Sequence, residues 1–511
     1  MPEDFFRKWK MMIKKEWKIA FISAAIIGFL THMYVFTNML PNHDSLINIY
    51  NTQLKFKSGR FFLGPFSGIS SFFDLPWIIG ILSVLYLALV TVVLTEFFEL
   101  RKTPAIMLTA GLVMTFPTVA ATFSYMFTAD GYMMGFLLAL LAVLVTKKYR
   151  FGFLPASFIF YLSVGIYQAN LTIVLTVIAV WFIRELTLNE QDLKALLSLF
   201  FRFVSMTAIG MILYAITFKA YQTFFGGKIT DYQGLDQIGK QSGSIIDQFV
   251  KIKSAWMNFF FRGFITDFPV NFFEVLNLLL FGLIVLTIVI SIIQNKMFAS
   301  PLRIIFIVAS ILMLPVCSFI LYFVSPGVEY HMLMVMGLAF LYMLPIVLYD
   351  RFDRPTLAVK WTSWGTVVVI FLIAFNFAII NNIAYFNMTL KYEKTYAFMN
   401  RILDRIEQTD GFEHATKLAI IGRVTMRTEM ASEKVPNRIP SMTGAMGETF
   451  LAKPYHFEYM LANQFGKTLT RLDDDELKIL QGSELVKQMQ TWPGKNSVRI
   501  DGDTVIIKLS Q

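Results

Sequence analysis

A single cysteine in 511 residues, Cys317, leaves no intrachain disulfide and no thiolate metal site possible. A secreted disulfide scaffold is thereby excluded. Charge is also scarce: Asp, Glu, Lys and Arg make up 16% of the chain, where a soluble chain carries about 25%. That shortfall excludes disorder and an ordinary cytosolic enzyme. There is no Walker A sequence, no glycine fingerprint following a strand, no HExxH and no CxxC, so a soluble nucleotide-sugar or ATP site is not expected. No internal repeat is evident, which counts against a transporter built from inverted halves. Arg7, Lys8, Lys10, Lys14, Lys15 and Lys18 precede the first apolar run and no small-residue cleavage site follows it. The N-terminus is therefore expected to be retained, not cleaved as a signal.

What the chain has instead is apolar length. Hydrophobic residues make up 56%, with 52 Phe, 27 Met and 20 Tyr, and the mean hydropathy is +0.58. About 20 apolar residues cross a bilayer as a helix. The runs at roughly 19–40, 76–98, 104–126, 131–146, 151–167, 168–185, 197–222, 271–294, 303–324, 331–349 and 361–383 predict eleven crossings. The stretch Phe151–Glu185 is too long for one span and short for two; Pro155, Gly165, Gln168 and Asn170 predict two short helices meeting near one face. The net charge of +10 does not indicate nucleic acid, because the Lys and Arg residues cluster at helix ends. The basic N-terminus, Arg101-Lys102, Lys147 to Arg150, Lys296 with Arg303, and Arg351 with Arg354 fall on one side, while loops Phe127–Asp130 and Ser325–Tyr330 carry no Lys or Arg. The basic side is expected to be cytoplasmic, which leaves the C-terminus outside a bacterial cell membrane.

Three outer pieces are too long to be connectors: residues 41–75, about 223–270, and the tail. The division expected is a transmembrane domain, 1–383, and a small extracytoplasmic α/β domain, 384–511. In the tail, Leu418-Ala419-Ile420-Ile421 reads as a strand, and Ser497–Ser510 as a hairpin turning at Asp501-Gly502. The run Asp473–Glu476 reads as a solvated helix start.

Acids gather at the outer helix ends: Asp44 after the first span, Asp130 between the third and fourth, and Glu329 with His331 at the tenth. Ionisable groups at a membrane boundary are costly unless paired, hydrated or functional; a helix cap is the structural alternative for each. Residues 45–63 space apolar positions as an interfacial helix does, and end in Lys55, Lys57 and Gly59-Arg60. A guanidinium can clamp a phosphate with parallel hydrogen bonds; for the lysines, lipid headgroups are the alternative. Tyr167, Gln168 and Asn170 either satisfy freed backbone groups at the helix break or bind sugar hydroxyls. Trp256, Phe259, Phe260 and Phe261 beside Arg262 either cover a ligand or form an interfacial belt.

The order of parts resembles the GT-C superfamily of polyprenyl-phosphate-sugar glycosyltransferases. More narrowly, it resembles the bacterial serotype-converting glucosyltransferase II family. The resemblance is carried by Asn42-His43-Asp44-Ser45, Ser58-Gly59-Arg60-Phe61, Ala129-Asp130-Gly131-Tyr132-Met133 and Gly165-Ile166-Tyr167-Gln168-Ala169, and by Lys417 to Gly422 in the tail. It implies an undecaprenyl-phosphate-linked hexose donor, glucose above all, and a cell-envelope glycan acceptor. Asp44 matches the first-loop acid that superfamily members place at the reacting centre, and Asp130 an acid some relatives add. Many relatives pair acids in that loop, whereas here His43 precedes a single Asp44. On this reading Asp44 is the general base of an inverting transfer. Arg60 with Lys57 steadies the leaving phosphate, and Asp130, Gln168, Glu329 and His331 bind sugar or acceptor. A phosphate is already a good leaving group, so neither metal nor cofactor is expected. A lipid-linked sugar flippase is the alternative function, and an envelope assembly protein ranks below it.

Overall fold

A computed structural model describes residues 1–4, 12–48, 55–71, 73–224, 244–262, 276–295, 297–352, 356–424, 442–447 and 449–510. Among these, nine helices are long and apolar enough to cross a membrane, and two shorter apolar ones, Phe153–Ile166 and Gly337–Tyr349, lie at positions where crossings were expected. The protein is a multi-pass membrane protein. Its bundle contains α1 (Lys15–Thr37), α2 (Pro76–Phe97), α3 (Thr103–Thr115), α4 (Pro117–Phe123), α5 (Ala129–Lys148), α6 (Phe153–Ile166), α7 (Asn170–Leu188), α8 (Leu193–Phe224), α9 (Ile245–Trp256), α10 (Leu276–Gln294) and α11 (Pro301–Ser318). It continues through α12 (Gly337–Leu341), α13 (Leu344–Tyr349) and α14 (Leu357–Glu407). Several of these helices carry proline at their first or second position, where its fixed φ and missing N–H suit the first turn. Lipid offers no hydrophobic drive to pack apolar helices together, so close contact decides the pairing. A Cβ on Gly80 of α2 would lie 2.3 Å from the Phe36 ring of α1; only glycine admits that ring.

Polar fasteners act at depth. His32 Nε2 lies 2.7 Å from the Met114 carbonyl, which can only accept, so Nε2 donates; Nδ1 then accepts from Tyr385 Oη at 2.6 Å. The expected break after Gly165 is present: α6 ends at Ile166 and α7 begins at Asn170. Asn170 Nδ2 donates to the Ser163 carbonyl at 3.0 Å, alongside the Tyr167 backbone N–H at 3.1 Å, and so ties the start of α7 to the end of α6. A second break, at Phe116 before Pro117, separates α3 from α4; hydropathy alone does not reveal it.

At one end of the bundle the basic residues meet acids. Lys14 and Lys148 reach Glu96 at 2.8 and 2.9 Å, while Lys147 and Arg351 reach Glu99 at 2.8 and 3.0 Å. Asp350 accepts from the backbone of Arg101 and Lys102. These loops, separate in sequence, therefore share one end, as the charge pattern requires. Lys296 and Arg354 lie outside the described residues.

The helix α14 runs for 51 residues, about 76 Å at 1.5 Å per residue, far beyond the apolar run that ends at 383. Its later turns bury Phe398, Met399, Ile402 and Ile406 against a small C-terminal α/β unit. That unit holds β1 (Lys417–Ile421), α15 (Pro454–Phe465), β2 (Thr470–Arg471), α16 (Asp474–Gln481), β3 (Val498–Asp501) and β4 (Thr504–Lys508). The sheet order is β2-β1-β4-β3, with β1 parallel to β2 and β4 and only the β3–β4 hairpin antiparallel. The hairpin turns where expected, with Gly502 at φ 58°, a conformation that costs glycine least. Asp473 caps α16 by accepting from the backbone of Asp475 and Glu476, so the acidic run is a helix start.

Candidate active site

The end of the bundle away from Glu96 carries the loop between α1 and α2. Its described part includes short helices Ser45–Asn48 and Leu63–Ser67 with a turn at residues 55–59. Residues 49–54 of the expected interfacial helix lie outside the described residues. The turn presents Arg60. Its Nη1 donates to Tyr132 Oη at 2.9 Å, and its guanidinium lies 5.1 Å from the Tyr167 ring and 6.0 Å from the Tyr132 ring. The two tyrosines pack edge to face at 4.9 Å. A guanidinium placed over one ring while it donates to the hydroxyl of another suits arginine better than lysine.

Gln168 fixes the turn rather than pointing away from it. Its Nε2 donates to the Ser58 carbonyl at 2.8 Å and to Tyr214 Oη at 2.9 Å, while Tyr214 Oη donates to the Gly59 carbonyl at 3.1 Å. Gly59 sits at φ 69°, and a Cβ there would meet Tyr214 Oη at 2.6 Å and Gln168 Nε2 at 2.9 Å. Gly59→Ala should therefore destabilise by roughly 1–2 kcal/mol from the backbone alone and also displace Arg60. A lower thermal midpoint together with a lost activity is the expected result; an unchanged pair of values would show that the turn tolerates the side chain.

His331 lies within electrostatic reach of the Arg60 guanidinium. Its Nδ1 is buried with no hydrogen-bond partner. Glu329 is exposed and lies near Tyr322. Asp130, at the start of α5, is fully buried, and its Oδ1 accepts from the Gly131 backbone at 2.9 Å. The cation facing it is Lys55, buried at 9% exposure, whereas Lys57 is exposed.

Asp44 lies in another group on the same loop. His43 Nε2 is 3.7 Å from Asp44 Oδ1, and their side chains are 31% and 38% exposed. The buried Asn42 accepts from the Asp44 backbone at 2.8 Å, and its Nδ2 donates to the Ser124 carbonyl. The other wall comes from the C-terminal unit. Asn463 donates to the Leu46 carbonyl at 2.8 Å, the His456 ring centroid is 5.9 Å from that of His43, and Tyr455 feels the Asp44 charge. Lys391 of α14, buried, donates to the Met446 carbonyl at 2.7 Å, and Tyr125 Oη meets Thr443 Oγ1 at 2.9 Å. Burial holds the His43 pKa below its ordinary value, Asp44 opposing and Lys391 adding.

Of the residues singled out in the sequence, the structure thus brings Arg60 and Gln168 to one turn with His331 in electrostatic reach, leaves Asp130 within reach of the Lys55 charge, and puts Asp44 beside the C-terminal unit. Sequence reasoning passed over Asp74, whose carboxyl burial pushes up to about 6, against a hydrogen bond with Ser45 that lowers it. It also passed over Tyr214, Lys391 and His456; only a residue type and a distant position mark them in the chain. Phe259 and Phe260 are buried, Phe260 stacking on Trp256 at 4.9 Å, so these two belong to the core. Among the described residues no three His, Cys, Asp or Glu side chains converge as metal ligands do.

With that geometry in hand, comparison with known proteins gives one match. The model of the family described as Glucosyl transferase GtrII matches residues 33–348, which include Asp44, Arg60, Asp130, Gln168 and His331. Comparisons with curated proteins and with solved structures returned no match.

Proposed function

The chain belongs to the GtrII glucosyl transferase family, and from that premise we propose that it moves glucose from undecaprenyl phosphate to a cell-envelope glycan. Transfer occurs at the outer face of the bacterial cell membrane, with the basic end of the bundle in the cytoplasm. It proceeds with inversion. Asp44 takes the proton of the acceptor hydroxyl as its oxygen attacks the anomeric carbon. The bond from that carbon to the phosphate oxygen breaks, and the lipid phosphate departs with its charge. Arg60 steadies that charge, and its place beside Tyr132 and Tyr167, with hydroxyl donors at hand, favours an anionic group there.

The observation that carries the reading is the convergence of Arg60 with Tyr132 and Tyr167, at the bundle end opposite Glu96 and Glu99. A lipid-borne phosphate at the outer leaflet reaches that level. Gln168 serves the same end by holding the turn before Arg60. Asp130 with Lys55, and Glu329, bind sugar or acceptor around it, and the unit from 384 onward gathers the acceptor polymer. Membership of a glucosyl transferase family favours bond-making over the flippase alternative.

The test incubates purified protein with polyprenyl-phosphate hexoses and candidate envelope glycans. Donor consumption that requires the acceptor, and glucose in the product, is the expected result. A donor left intact beside every glycan, or consumed only as a nucleotide sugar, would overturn the proposal.

A further inference from the structure

His456 lies on α15 of the C-terminal unit, outside the residues that match the family model, yet it faces the neighbour of Asp44. Its protonation is fixed by its surroundings. The Lys453 backbone N–H donates to His456 Nδ1 at 3.1 Å. An amide N–H can only donate, so Nδ1 carries no proton and the neutral ring bears it on Nε2. Burial, with His43, Lys391 and Lys453 adding to it, pushes the pKa down to about 3, so the ring is neutral near pH 7. That leaves Nε2–H a donor, and it is buried without a hydrogen-bond partner. A native structure keeps few such groups, and each calls for a use.

We propose that His456 is a positioning residue for the Asp44 base: from a ring centroid 5.9 Å from that of His43, a small turn of the ring brings its Nε2–H onto His43 Nδ1, so that His43 Nε2 donates toward Asp44 Oδ1, 3.7 Å away. The inference rests on the reading of Asp44 as general base. No proton is transferred between the rings. Both imidazoles stay neutral, and Asp44 alone receives the acceptor's proton. A neutral imidazole that donates to a carboxylate aims it without quenching it, as partners behind a reacting group commonly do. Among the described residues, the groups facing His43 are Asp44 on its own loop, Tyr125 after α4, Lys391 on α14 and His456 on α15, with Tyr455 beside His456 and within reach of the Asp44 charge. Through His456 the C-terminal unit contributes to the centre itself as well as covering it.

Capping α15 is the plainer role for this side chain, and it uses only Nδ1. Asparagine can supply an acceptor at the Nδ1 position but nothing at Nε2, while glutamine places an amide near Nε2. His456→Asn should therefore stay folded and lose about tenfold or more in kcat, as misplacement of a reacting group does, with the KM for the lipid donor unchanged. The acidic limb of its kcat/KM profile should move to higher pH, because the freed His43 nitrogen accepts a proton more readily. His456→Gln should recover most of the rate. In a His43→Ala background, His456→Asn should cost nothing further, since the route to Asp44 is gone.

Wild-type kcat and pH profile in His456→Asn, with Asp44→Asn inactive in the same assay, would overturn this inference alone; so would equal losses in the Asn and Gln variants. An active Asp44→Asn protein would overturn the base assignment instead. Nitrogen NMR of isotope-labelled histidine in the wild-type protein decides the matter without any variant: a His43 proton on Nδ1 contradicts the scheme, and one on Nε2 supports it.

Discussion

Asp44→Asn is expected to lower the proposed hexose transfer by about 10²–10⁴ in turnover, the share a general base contributes. The amide keeps the size and shape of the side chain but cannot take a proton from a hydroxyl at neutral pH. The Asp44 side chain is 38% exposed, and its backbone N–H, which donates to Asn42 at 2.8 Å, is untouched by the change. The thermal midpoint should therefore hardly move, since exposed substitutions of this kind cost within about 0.5 kcal/mol. Product analysis with the lipid donor, alongside thermal unfolding in detergent, checks both halves. Wild-type turnover would remove Asp44 from the base role and direct attention to Asp74. That carboxyl lies against Ser45 with its pKa pushed up to about 6 by burial, where a base for neutral pH is well matched.

Arg60→Ala carries the second large effect. Removing a donor that stabilises charge in the transition state costs about 10²–10³ in kcat, and the loss should fall on the lipid-phosphate donor, leaving the KM for the acceptor glycan near its wild-type value. Arg60→Lys should recover little. An ammonium lacks the flat face that lies over Tyr167 at 5.1 Å, and it cannot reproduce the fork of donors that includes the bond to Tyr132. Donor-titrated turnover of both variants is the measurement. Unchanged kcat/KM for the lipid donor in Arg60→Ala would dismiss the clamp, and full activity in Arg60→Lys would show that charge alone suffices there.

Hydropathy and charge made the membrane class, the basic end and the positions of the apolar helices readable without coordinates. The helix break after Gly165 was readable too, because Gln168 and Asn170 are polar in an apolar run, and so was the hairpin at Asp501-Gly502. Other features were hidden for a physical reason. The Pro117 break falls inside a continuous apolar stretch, where a prolyl ring changes geometry but not hydropathy. The helix α14 continues past its apolar run because its later turns bury Phe398 and Ile402 on a sheet strand far along the chain. Lys55 and Lys57 look alike in sequence, yet a turn buries the first near Asp130 and exposes the second.

Chain chemistry by itself determined that this protein lives in a bilayer and which of its ends collects lysine and arginine, because both follow from the transfer cost of each residue taken locally. Tertiary structure decided the company each polar residue keeps. The ring centroids of His43 and His456 stand 5.9 Å apart across more than four hundred residues of sequence, and Arg60 meets Tyr132 and Tyr167 from two other segments. Meetings such as that of Arg60 with Tyr132 and Tyr167 depend on how helices pack, and packing in lipid is set by shape and by small residues such as Gly80 facing Phe36. No local count of residue types contains that information.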